Sequence, residues 1–252
     1  MAERMKTFPH LSRAPIVEAV IDIRAQLEKE WQHEFIKEQL KKELPDYPHN
    51  EPQKMFRTTT TIIPDQEPQT ATKDLGWKGI LFRSEDNLQV VQFQRDGFAF
   101  SRLKPYEDWN HLIRDAHRLW DIYKKYVSPL VPSRLGVRFI NRIEAASEGW
   151  IEDYLADAPG PPCGLDWPFN GFFHHDTFCV PDTPYSVNLI RLLEAAQPPT
   201  KPNISFIIDI DVFVTSPLEL DNIWSHHLDN IHDIKNEVFF KSVTHSELEA
   251  LK

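Results

Sequence analysis

Hydrophobic and polar positions alternate along residues 15–24, Pro-Ile-Val-Glu-Ala-Val-Ile-Asp-Ile-Arg, with β-branched side chains set against Glu18 and Asp22. A two-residue period of this kind predicts a strand with one buried face. Over residues 31–44 the period lengthens: Phe35, Ile36, Leu40 and Leu44 recur at helical spacing, and Pro45 ends the predicted helix. A turn-rich connection is expected over 45–52. Strands follow at 56–63, which contains a run of threonines that disfavours helix, and then at 79–83, 88–94 and 98–103. Residues 64–76 read as a polar loop between them. Ser84-Glu-Asp-Asn and Arg95-Asp-Gly are the hairpin turns, the second because Asp-Gly supplies positive φ angles. Trp109, Leu112, Ile113, Ala116, Leu119, Trp120 and Tyr123 then mark a long amphipathic helix over 106–127, closed by Ser128-Pro129.

The second half opens with another predicted strand, 133–144. A short helix is expected near 149–156, an irregular Pro/Gly-rich loop over 158–169, and strands at 171–180, 185–194 and 203–214. A last helix covers 220–241, with Ile223, Trp224, Leu228, Ile231, Ile234 and Val238 on its apolar side. The halves 1–130 and 131–252 thus share one order of elements, strand, shorter helix, antiparallel strands and long closing helix, without a residue-level repeat. The expected fold is α+β and forms one compact unit. In it the duplicated halves join into one continuous antiparallel sheet with helices on one face. This resembles the arrangement of the TATA-box-binding protein or the helix-grip type in architecture alone, with no implication for DNA.

The period of two sorts the opening strands by face. Glu18, Asp22 and Arg24 oppose Val17, Ala19, Ile21 and Ile23; Arg134, Arg138 and Arg142 oppose Leu135, Val137, Phe139 and Ile143; Asp209 and Asp211 oppose Ile208, Ile210 and Val212. If these strands are neighbours, one sheet face gathers carboxylates and arginines, either as a solvated surface of cross-strand ion pairs or as a recognition surface. Asp209 with Asp211, His174 with Asp176, and the ladder His226, Asp229 and His232 each admit a metal-binding reading. None completes a recognisable ligand set, and the expected cofactor and metal content is none. Trp109, Trp120 and Trp224 belong to apolar helix faces. Trp77, Trp150 and Trp167 lie in or beside loops and would mark an interface if exposed.

Composition narrows the function classes. The chain has 252 residues, 41% of them hydrophobic and 26% charged, the balance of a globular protein with a sizeable core. Twenty prolines outnumber eight glycines, which favours stiff connections and disfavours phosphate-cradling glycine loops. Its 28 basic and 38 acidic side chains give a net charge of −10, so nucleic acid is not expected as a partner. No apolar stretch approaches the ~20 residues of a membrane span. Residues 1–11 show no secretory signal and two cysteines make no disulfide framework, so the expected location is cytoplasmic.

The segment Ala14-Pro-Ile-Val-Glu-Ala-Val-Ile-Asp-Ile-Arg24, the strand Arg134-Leu-Gly-Val-Arg-Phe-Ile-Asn-Arg-Ile143 and the overall length resemble a sporadically distributed prokaryotic family of unknown function. Its members are typically about 250 residues long and start with a PIVEAV-type strand. The resemblance implies an accessory gene of mobile or defence-type loci, CRISPR-associated ones included, and a partner protein encoded nearby; it carries over no catalytic residues. The expectation is therefore a non-enzymatic interaction protein using Glu18, Asp22, Arg24, Arg134, Arg138, Arg142, Asp209, Asp211, Trp77, Trp150 and Trp167. The alternatives are a small-ligand or nucleotide-binding enzyme on the same polar face, and a single-stranded nucleic-acid binder.

Overall fold

The structure is a computed structural model that describes residues 8–28, 31–145, 150–160, 162–165, 167, 171–194, 204–215, 217–220, 223–224 and 227–252. Its strands are β1 (Ile16–Leu27), β2 (His49–Thr61), β3 (Gln69–Arg83), β4 (Gln89–Gln94), β5 (Gly97–Leu103), β6 (Pro129–Glu144), β7 (Phe173–Cys179), β8 (Tyr185–Glu194) and β9 (Ser205–Val214). The helices are α1 (His33–Glu43), α2 (Trp109–Val127), α3 (Ile151–Tyr154), α4 (Leu228–Ser242) and α5 (His245–Ala250). The fold is α+β. One open antiparallel sheet runs in the order β2-β3-β4-β5-β1-β6-β9-β8-β7. β1 pairs with β5 on one side and β6 on the other, and β6 in turn pairs with β9.

Register explains the core. Ile21 stands opposite Phe100 and Val137, and Ile23 opposite Phe98 and Leu135. Phe139 faces Ile210, and Val137 faces Val212. All of these are buried on one face of the sheet and belong to a single cluster with Ile36 and Leu40 of α1, Leu112, Leu119, Trp120 and Tyr123 of α2, and Ile231 and Phe239 of α4. Their β-branched and aromatic side chains suit the pleat, while helical spacing lays the apolar stripes of α1, α2 and α4 over them. The Tyr123 hydroxyl donates to the Gln94 carbonyl at 2.9 Å, which satisfies a polar tip inside this cluster. Asp108 caps α2, accepting from the His111 N–H at 2.9 Å, and Ser128 closes the helix in the left-handed region at φ 51°.

Several boundaries differ from the sequence reading, each for a physical reason. The expected turn over 45–52 gives way at His49 to β2, and Pro52 sits inside that strand. β2 is the sheet edge, where the missing proline N–H breaks no ladder bond with a second neighbour. The expected polar loop 64–76 is strand from Gln69 onward, so β2 and β3 form a long ribbon. Trp77 consequently lies in β3, partly buried and stacked on His33 at 3.8 Å, with Lys54 over its ring, and is not a free loop aromatic. The last helix begins at Leu228 rather than 220; Ile223 and Trp224 still pack into the core, but from a turn. Apolar spacing marks burial, and here burial does not require helix.

Trp120 is fully buried among Phe98, Tyr123 and Trp224. Trp120→Ala is expected to lower unfolding free energy by about 3–5 kcal/mol, measured by urea denaturation at constant slope.

Candidate functional site

The face of the sheet opposite the core carries the charged residues, and the strands deliver them in register. Asp22 of β1 stands opposite Gly136 of β6, and Gly136 opposite Phe213 of β9. Because Gly136 has no side chain, the guanidinium of Arg134 folds back over it. A Cβ at that position would overlap the Arg134 guanidinium. From there Arg134 donates to Asp22 at 2.5 Å and to both oxygens of Asp211 at 2.9 and 2.8 Å, with its Cζ 4.7 Å from the Phe213 ring centre. One arginine thus ties β1 to β9 across β6. These are charge-assisted bonds, the stronger class of protein hydrogen bond.

The network extends both ways. Arg24 pairs with Asp22 at 3.1 Å and Asp96 at 3.7 Å, and donates to Gln94 at 3.4 Å. It reaches β4 because its neighbour on β5 is Gly97, at φ 156°, where a Cβ would overlap the Ile23 carbonyl. Gln94 donates onward to Gln92 at 2.7 Å. On the other side Asn188 of β8 donates to Asp211 at 3.4 Å and accepts from Thr177 of β7 at 2.9 Å. A continuous polar belt therefore runs from β4 through β1, β6, β9 and β8 to β7. Beside it Arg138 grips Asp209 in a two-point fork, Nε to Oδ1 at 2.7 Å, and Arg142 pairs with Glu194 at 3.2 Å.

The charges are unequally shielded. Asp209 is buried, and Asp22, Asp211 and Arg134 are mostly covered, whereas Arg24, Arg138 and Arg142 are nearly half exposed. Burial raises the pKa of Asp22 above 3.8 even though Arg24 and Arg134 oppose the shift. The hydrogen bond to Asp209 holds Arg138 still more firmly protonated, helped by the charges of Asp209, Asp211 and Glu18. Glu18 joins this surface through that field, placed opposite Ile140 and Leu103.

Eight of the anticipated site residues, Glu18, Asp22, Arg24, Arg134, Arg138, Arg142, Asp209 and Asp211, therefore share one face. The three tryptophans do not join them. Trp77 is packed at the base of the β2–β3 ribbon, and Trp150 and Trp167 are 75% and 71% exposed with no described contact to the belt. Asp209 and Asp211 are each occupied by a guanidinium. Asp176 meets Arg191 at 3.7 Å, and His174 packs edge-on to Phe172. Of the His226, Asp229 and His232 ladder, His226 lies outside the described residues, Asp229 is exposed, and His232 stacks on Trp109 at 4.4 Å. Among the described residues no three His, Cys, Asp or Glu gather as metal ligands. Gln92, Gln94, Asn188 and Thr177 were not anticipated; for Asn188 the period of two was a usable signal, since it shares the parity of the open face.

A second unanticipated group lies under α4. Lys235 is buried, its ammonium 4.1 Å over the Phe139 ring and donating to Asn236 at 2.6 Å. Desolvation pushes its pKa down to about 7, and burial takes the adjacent His232 down to about 3.

Two outcomes follow from these environments. Arg134→Met leaves Asp22 and Asp211 without their shared cation and is expected to cost about 2–3 kcal/mol at pH 7. Because the Asp22 pKa is raised, the folded state holds that proton more tightly than the unfolded chain. The Asp22 cost therefore grows as pH rises from 3.8 through its folded value, and the deficit of the variant narrows in acid. For Lys235 the sign is opposite: the folded state binds the proton less tightly, so stability rises from about pH 7 toward 10.5. Lys235→Met is expected to remove that rise and to gain about 1–3 kcal/mol at pH 7, read by urea unfolding at pH 7 and 9.5.

No family model matches the chain, and a comparison with curated proteins finds no match.

Proposed function

We propose that this is a non-enzymatic accessory protein that binds another protein through the open face of its sheet. The observation that carries this is the belt itself, in which four arginines and four carboxylates of the anticipated set share one broad face and each arginine is already held by a carboxylate. A nucleic-acid surface needs an excess of cations, which this face and a net charge of −10 do not offer. An enzyme site built on Arg138, Arg142, Asp209 and Asp211 needs them around a shared cleft. Here Arg138 closes on Asp209, Arg134 on Asp211 and Arg142 on Glu194, each cation held by its own carboxylate. Pre-paired, half-exposed arginines instead offer rigid polar contacts that a protein partner can match at small entropic cost.

The strand order supports reading the sheet as two joined halves, each with its last strand folded back beside its first, in the manner of the TATA-box-binding-protein or helix-grip arrangement. A nearby-encoded partner in a mobile or defence-type locus is inferred from the family resemblance. No described helix is long and apolar enough to cross a membrane, and both cysteines are free; a cytoplasmic location is inferred from composition.

Arg24→Glu with Arg142→Glu alters two half-exposed guanidinia and leaves Arg134 and Arg138 in place. In affinity capture from the native host, the wild-type chain is expected to retain a protein at near one-to-one stoichiometry, and the double variant to lose at least ~10-fold of it. Absence of a stoichiometric partner, or equal retention by the variant, sinks the proposal.

A further inference from the structure

Beyond the sheet proper, β2 and β3 continue as a two-stranded arm. β4 pairs with β3 only over Gly79 to Arg83, so from Lys54 to Thr61 and Gln69 to Asp74 each strand has one neighbour, and its side chains are exposed on both faces. Eight residues of strand reach about 26 Å. Such a ribbon is marginally stable alone in water and presents open backbone edges on both sides. Threonine pairs stiffen it, Thr58 with Thr72 at 3.1 Å and Thr60 with Thr70 at 3.2 Å.

Its charges are segregated along its length. Arg57 stands directly opposite Lys73, an unfavourable like-charge pair, and neither reaches a carboxylate among the described residues. The exposed tip turn carries Asp65 and Glu67, which likewise meet no cation among the described residues. Between these levels lie the apolar Ile62 and Ile63, 76% and 43% exposed. Such an arm is complementary to itself under a two-fold rotation. An antiparallel overlap centred near the paired residues Thr61 and Gln69 sets the tip carboxylates of each arm beside the Arg57 and Lys73 level of the other. The isoleucines of both arms then meet at the centre.

We propose that the β2–β3 arm is a self-association device that docks on the same arm of a second copy of this chain. The surface is separate from the open face, so the two proposals stand or fall independently.

Sedimentation equilibrium of the full chain at about 100 µM and low salt is expected to give twice 29.5 kDa, shifting toward the monomer at about 1 M salt. Above the Lys54–Asp74 ion pair at its base, Arg57→Glu with Lys73→Glu leaves the arm with acidic charges alone. Asp65→Asn with Glu67→Lys leaves that same stretch with basic charges alone and keeps a residue that tolerates the φ of 63° at position 65. Each variant alone is expected to associate at least ~10-fold more weakly, and an equimolar mixture to regain the dimer. All four positions are exposed, so unchanged circular dichroism and melting certify the fold. A monomeric wild-type chain at that concentration, a dimer that survives either reversal, or a mixture that stays monomeric overturns the proposal.

Discussion

The Arg134 guanidinium, laid over Gly136 and held between Asp22 and Asp211, is the interaction on which the centre of the sheet depends. β1 and β6 meet at the junction of the two halves of the chain, and this one side chain spans that junction. Its position has a strict steric condition. Any side chain at residue 136 would occupy the space the guanidinium needs, so the ion pairs and the glycine form one unit. Partly desolvated charges are costly in themselves; what repays the cost is fork geometry and the saturation of carboxylate oxygens by Arg134, Arg24 and Asn188.

The two faces of the sheet follow different chemistry. On one, Ile21, Phe100, Val137 and Val212 lie beneath α1, α2 and α4, and area removed from water dominates. On the other, specificity comes from pairing: which arginine faces which carboxylate is decided by strand register. A slip of one residue between β1 and β6 would turn Asp22 into the core and Ile21 outward, so hydrophobic burial and the ionic belt enforce the same alignment. Lys235 is the exception on the helix side, a cation held against an aromatic face and an amide with no carboxylate in reach among its described contacts.

Much of this was legible from residue order, because alternation is a local property. β1, β6, β8 and β9 were recognisable from their apolar parity, and the same parity placed Glu18, Asp22, Arg138 and Asp209 on one face. Partner choice was not legible. That Arg134 rather than Arg138 bridges Asp22 depends on the Gly136 gap and on strand neighbours more than a hundred residues apart. Of the arm, the threonine run marks the β2 side as strand, but the returning side is not legible: Pro64, Pro68 and the polar residues around them read as loop, and an exposed ribbon shows no hydrophobic alternation. Ile223 and Trp224 mislead in the other direction: their apolar spacing suits a helix, yet both sit in a turn and pack into the core, Trp224 against His117 and Trp120 of α2. His232 and Lys235 look like members of a solvated helix face until Trp109 and Phe139 are packed against them.

The central position of β1 has a consequence for how the chain is made. Its partners are residues 97–103 and 129–141, so β1 leaves the ribosome about seventy residues ahead of β5 and about a hundred ahead of β6. During that interval Ile16, Ala19, Ile21 and Ile23 are an apolar edge without neighbours, and local contacts cannot shield them. Closure of the sheet around β1 is thus a late, long-range event, and its apolar face must wait for strands far along the chain.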